Sequence, residues 1–364
     1  MQTSRDVIDS LLRKKRADRV GVMDSPWPDT LKAWVKQGMP VDEKGEPVDI
    51  FEHFGFDVVG VGGWFDWYPK RGVQEIVEET AEWKVVRHGT GAVLKWWKDK
   101  SGTPEHVDFD MSSREVWERD YRPLLLDVDR ERVDVKGAAE KLAKRRAQQR
   151  WTHFGHCFIW EMMRGSMGDY TMYMSLLADP GWIRDFNRVY TDFCKTYFRM
   201  LIEEAGRPDG IWLYEDLGYK QRLFASPKVL EELIFPYYAE LVAFFHGYDL
   251  PVVLHSCGFT EPALDLICSA GFDGLNPMEV KAGNDPLRIA EKYGDRLTLI
   301  GGLDARVLES GDRGLIRREV AALIEGMKSR GARYVFASDH SLSTNVRYDD
   351  FRCALEVYRE HLMY

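Results

Sequence analysis

The segments GIWLYEDLG (210–218), VVLHSCG (252–258), GFDGLNPME (271–279), LTLIGGLD (297–304) and YVFASDH (334–340) are built on one plan. Each is a short apolar run that stops at polar, acidic or glycine residues. The runs 210–214, 251–254, 274–276, 297–300 and 334–337 do not alternate apolar with polar side chains, which is the pattern of parallel strands covered on both faces. Between them the spacing of apolar residues predicts helices over 226–248, 260–270, 285–293 and 314–330. A helix over 179–205, ended by Gly206, precedes the series, and one over 348–364 closes it.

Outward from this regular half, three further strands are predicted at 19–23, 57–61 and 157–160. With the five above they make eight, and alternating strands and helices in that number predict an α/β fold, a (β/α)8 TIM barrel. The reading is one barrel domain over 1–364, with an insertion at about 83–150. The insertion is a β-hairpin of runs 83–87 and 92–97, followed by helices near 113–125 and 133–148. The start of the chain predicts a short amphipathic helix with Val7, Ile8, Leu11 and Leu12 on one side.

Composition narrows the function. The 364 residues are 45% hydrophobic and 30% charged, the mix of a globular chain with a large core. No uncharged apolar run approaches the roughly 20 residues of a membrane span. The net charge of −9 argues against a phosphate-driven nucleic-acid binder. Five scattered cysteines make no disulfide framework, and the first residues are too charged for a signal peptide, so a reducing cytoplasm is the expected compartment.

In a TIM barrel the functional groups stand at the C-terminal ends of the strands. His255 and Cys257 are two apart just past a predicted strand, a spacing that points both side chains the same way, and both are good zinc ligands. Glu279 and Asp339 end later strands on the same rim and are candidate further ligands. Glu215 and Asp216 form an adjacent acidic pair suited to general acid–base or positioning work. His340 is a third candidate for chemistry. Asp24, Trp27, Trp64, Phe65, Trp67 and Trp160 fall near the same rim and are candidates to line an aromatic pocket for a small-molecule substrate.

The motifs quoted above, with DHSLSTNV (339–346) continuing the last and SRDVIDSLLRKKRADRVGV (4–22) at the start, resemble the uroporphyrinogen decarboxylase superfamily, in particular its divergent decarboxylase-like and corrinoid methyltransferase branches. The resemblance implies a barrel with its site at the C-terminal rim. True decarboxylases of that family carry an arginine-rich motif after the first strand. Here that place reads DSPWPD (24–29), with no arginine. The methyltransferase branch implies zinc held by the His255 and Cys257 pair, with Glu279 resembling a ligand of related zinc enzymes. The further cysteine that those enzymes place after the last strand is absent, leaving Asp339 or His340 in its position. The function this implies is methyl transfer from a small substrate, in one form an aromatic methyl ether, to a corrinoid carried by a partner protein, with zinc as Lewis acid. Decarboxylation of a small acid and non-catalytic binding of a tetrapyrrole or corrinoid are the alternatives. Decarboxylase relatives dimerise, so the resemblance leaves a homodimer open, although the sequence shows no exposed apolar stripe that would mark one.

Overall fold

The strands, in chain order, are β1 (Gly21–Val22), β2 (Val58–Gly60), β3 (Gln74–Glu79), β4 (Trp83–His88), β5 (Ala92–Trp97), β6 (Glu105–Phe109), β7 (Trp151–Cys157), β8 (Gly210–Tyr214), β9 (Gly218–Tyr219), β10 (Arg222–Leu223), β11 (Val252–His255), β12 (Gly274–Asn276), β13 (Thr298–Ile300) and β14 (Tyr334–Phe336). The computed structural model describes residues 2–99 and 102–364. Eight of these strands form a single parallel sheet in the order β1-β14-β13-β12-β11-β8-β7-β2. The register is continuous across the centre, with Leu254 opposite Leu213 on one side and Leu275 on the other. Helices cover the outside, so the chain is the TIM barrel that the repeated β/α units predict.

The first and last strands of that order meet through Asp57. The Asp57 amide donates to the Val22 carbonyl at 2.8 Å, and the Val22 amide donates to Asp57 Oδ2 at 2.8 Å. Arg19 closes a two-point ion pair on the same carboxylate, at 2.7 and 2.6 Å. Asp57 is fully buried. One residue, Asp57, therefore joins the two edges through its amide and its carboxylate, where a backbone ladder joins every other neighbour.

The opposite end of the barrel from the strand termini is plugged. Thr3 and Asp6 form a capping box that starts the helix Ser4–Leu12. Its face of Val7, Ile8, Leu11 and Leu12 packs against Val58, Trp151, Val253, Ile300 and Val335 inside the barrel. On that same end Gln2 and Tyr364 both bond Asp18: the Gln2 amide to its carboxylate at 2.9 Å and the Tyr364 amide to its carbonyl at 3.3 Å.

Three predicted elements are corrected. The third barrel strand is β7, Trp151–Cys157, instead of 157–160; Trp160 belongs to the helix Ile159–Ala178 that follows. The stretch WTHFGHC is buried at every position despite its two histidines. The inserted hairpin is the centre of a four-stranded antiparallel sheet, β3-β4-β5-β6, which starts at Gln74. The helix expected over 226–248 is two, Pro227–Leu233 and Phe235–His246, the second with Pro236 in its first turn. None of the described helices is long and apolar enough to cross a membrane.

Candidate functional site

A cavity of about 330 Å³ opens at the C-terminal ends of the barrel strands. Period-two alternation decides its walls: Trp212 and Tyr214 of β8 face inward together, as do Val253 and His255 of β11. The wall over β8, β11 and β12 carries Tyr214, Asp216, His255, Cys257 and Asn276. The facing wall, over β1 and β14, carries Asp24, Ser25, Ser338 and His340.

Asp216, His255 and Cys257 each present a ligand atom, and these atoms lie within 4.8 Å of one another. Cys257 Sγ is 3.4 Å from His255 Nε2, which is 3.9 Å from Asp216 Oδ1. A tetrahedral Zn²⁺ with bonds of roughly 2.0–2.3 Å holds its ligand atoms roughly 3.3–3.7 Å apart, so the donor set fits the ion with little movement. The surroundings orient it. The Asn276 amide nitrogen donates to the Ile300 carbonyl at 3.3 Å, which turns its oxygen toward His255 Nδ1 at 2.6 Å. Nδ1 therefore carries the hydrogen, and Nε2 presents its lone pair to the cluster. The Cys257 amide donates to Asp216 Oδ1 at 2.8 Å, tying the two ligands together. Gly258 has φ +81°, and a Cβ there would sit 2.1 Å from the Gly218 carbonyl carbon, so only glycine lets the β9–β10 hairpin close against the cysteine turn. Burial pushes the Cys257 thiol up, and Asp216 and Glu279 add to this.

On the facing wall, Asp24 Oδ1 accepts from the Ser25 amide at 2.9 Å and the Ser338 hydroxyl at 2.7 Å, and Oδ2 from the Ser338 amide at 3.1 Å. Burial raises its pKa to about 6, against the pull of these donors. His153 lines the cavity from β7, and burial lowers its pKa to about 4, so its imidazole is neutral. No Arg or Lys lines this cavity among the described residues.

Other predicted residues are not among the three whose ligand atoms come together. Glu279 Oε2 accepts from the Gly258 amide at 2.7 Å, with Lys281 3.5 Å from its other oxygen. Asp339 is fully buried, and its two oxygens accept from the Val280 and Ala305 amides at 2.8 and 2.9 Å. Both carboxylates join rim loops. Glu215 is fully buried and points away from its neighbour Asp216, into the start of the helix Ile159–Ala178. Burial raises its pKa to about 8, opposed by the Tyr238 hydroxyl and by the helix amides. Among the aromatic residues, Trp27 lines the cavity, and half-exposed Trp64 stacks on Tyr214 with ring centroids 5.7 Å apart. Phe65 and Trp160 are core, and Trp67 packs against that core. The 64–69 loop is fixed from beneath by Arg132, whose guanidinium donates to the carbonyls of Asp66, Tyr68 and Pro69.

Sequence reasoning does not single out Trp212, Tyr214, His153, Asn276 or Ser338 as site residues. Tyr214 and Trp212 carry a usable signal, since alternation along β8 puts them on one face. His153 falls before the strand predicted at 157–160, which hides its place on the barrel wall.

The model of the uroporphyrinogen decarboxylase (URO-D) family matches residues 158–361. No curated protein sequence matches. Among solved structures, a methyltransferase from Methanosarcina mazei superposes over 99% of both chains with a TM-score of 0.67 at 16% identity, a likeness of fold. An AP endonuclease, family 2, from Brucella melitensis covers 60% of this chain and 82% of its own at a TM-score of 0.33 and 13% identity. Because the model of that family matches more than half of this chain, the chain belongs to the uroporphyrinogen decarboxylase family.

Proposed function

We propose that this protein is a methyltransferase that takes a methyl group from a small substrate, with zinc held by Asp216, His255 and Cys257 and a corrinoid on a partner protein as acceptor. The observation that carries the reading is the three-donor cluster on the wall of an aromatic cavity. The Methanosarcina mazei neighbour, a methyltransferase of this fold, supports it. Zinc bound there supplies Lewis acidity to the oxygen that loses its methyl group, alkoxide being a poor leaving group.

The protein's own residues do the rest. Asn276 holds the His255 ring in one tautomer, and the Cys257 amide holds Asp216 beside it. Trp27, Trp212 and Tyr214 offer apolar faces to an aromatic methyl ether and exclude water around it. The absence of Arg and Lys from the described lining of the cavity leaves a substrate with several carboxylates without partners, which argues against a porphyrinogen.

Metal content by mass spectrometry, on protein purified without a chelator or His-tag, tests the reading. About one zinc per chain is expected in the wild type and less than about a tenth of that in Cys257→Ser. No metal under conditions that load a control zinc enzyme overturns it and directs attention to metal-free decarboxylation. Asn276→Ala is expected to weaken zinc binding roughly 10- to 100-fold by freeing the imidazole, read by competition with a chelator. An unchanged affinity removes Asn276 from the metal's support.

A further inference from the structure

The two walls of the cavity stand at opposite sides of the barrel. In the strand order β1-β14-β13-β12-β11-β8-β7-β2, the strand that delivers Asp24 is four steps from the strand that delivers His255 in a ring of eight. A ligand whose methyl end faces the Asp216, His255 and Cys257 cluster therefore has its far end at Asp24 and Ser338.

What that far end accepts follows from the donor count. The two oxygens of Asp24 offer about four lone-pair sites, and at most three donors reach them: the Ser25 amide, the Ser338 amide and the Ser338 hydroxyl, which it shares with the His340 carbonyl. Oδ2 receives one bond and can take a second. Ser338 cannot serve as a donor to a ligand, because its one hydroxyl hydrogen lies between two acceptors, Asp24 Oδ1 at 2.7 Å and the His340 carbonyl at 2.6 Å. No Arg or Lys lines the cavity among the described residues and His153 is neutral, so an anion at this end would meet the Asp24 carboxylate with only the Ser25 and Ser341 hydroxyls and the His340 ring set against it. Trp27 and Trp212 also line the cavity, and aromatic rings favour positive charge.

We infer that the substrate carries a hydrogen-bond donor, a hydroxyl or a protonated amine, at the end opposite its methyl group, that Asp24 accepts this bond, and that compounds with a carboxylate at this end are rejected. The inference rests on the methyl ether reading above and adds the chemistry of the substrate's other end. Asp24 is then the residue that sets specificity, by offering an acceptor where an anion would need a donor.

Three probes of one shape differ only at the deciding group: 4-methoxybenzylamine, 4-methoxybenzyl alcohol and 4-methoxybenzoate. Titration calorimetry on the full chain is expected to show the amine or the alcohol binding at least roughly 10-fold more tightly than the benzoate, the scale of one hydrogen bond to a charged group. Amine above alcohol identifies an ammonium substrate, and alcohol above amine a hydroxylated one. Asp24→Asn presents an amide that can donate, so it is expected to narrow the gap between the better donor probe and the benzoate by roughly 10-fold or more. Benzoate binding as tightly as the others, no binding by any probe, or a gap unmoved in Asp24→Asn overturns the inference. The wild-type ranking needs no variant to fold. Metal content is independent of all three titrations, so a failed ranking in a zinc-loaded protein leaves the methyltransferase reading in place.

Discussion

Asp57→Ala is expected to destabilise the protein by roughly 3–5 kcal/mol, the cost of breaking a buried ion pair by removing one partner. The loss has two parts. Arg19, with a side chain only 13% exposed, keeps its charge and loses both bonds to the carboxylate, at 2.7 and 2.6 Å. The Val22 amide loses its acceptor on the seam between β1 and β2. Urea unfolding of the two single variants and the Arg19→Met/Asp57→Ala pair measures the coupling. The double variant is expected to be more stable than the sum of the singles predicts, because no uncompensated guanidinium is left. Additive losses would mean that the carboxylate acts on the backbone alone.

Glu215→Ala is the second large loss, again roughly 3–5 kcal/mol, this time from orphaned donors. The helix Ile159–Ala178 begins after Phe158, a residue with no side chain able to cap it. Glu215, arriving from the end of β8, supplies the missing acceptors. Oε1 takes the Phe158 and Glu161 amides at 2.5 and 3.3 Å, and Oε2 takes the Trp160 amide at 2.8 Å and the Tyr238 hydroxyl at 2.6 Å. Alanine strands all four in a buried site and leaves a cavity as well. Thermal unfolding followed by circular dichroism reads the effect. A change below about 1 kcal/mol would show that the helix start finds other partners.

These two carboxyl groups mark where the sequence is and is not legible. The five β/α units from 210 onward can be read because their strands are apolar on both faces. β7 cannot, since WTHFGHC owes its burial to what packs around it: His153 faces the barrel interior, while both ring nitrogens of His156 meet carbonyls of Cys157 and Phe65. The outer strands β3 and β6 of the antiparallel sheet are largely exposed and charged, so only the inner pair β4 and β5 leaves an apolar trace. At the site, the two-residue spacing of His255 and Cys257 is a local property and can be read directly. The nearness of Asp216 to them is tertiary, made by the Cys257 amide. Glu279, Asp339 and Glu215 end strands on the same rim, yet they accept backbone amides. A sequence does not distinguish a carboxylate that gathers loop N–H groups from one that faces an open cavity, because both roles favour the same position.

The junction at Asp18 has a practical meaning. Residues 2 and 364 are moored to one residue, on the plugged end of the barrel and away from the mouth. A tether attached at either residue would therefore pull on the base and leave the cavity facing outward, so immobilised protein would present its opening uniformly to whatever docks there.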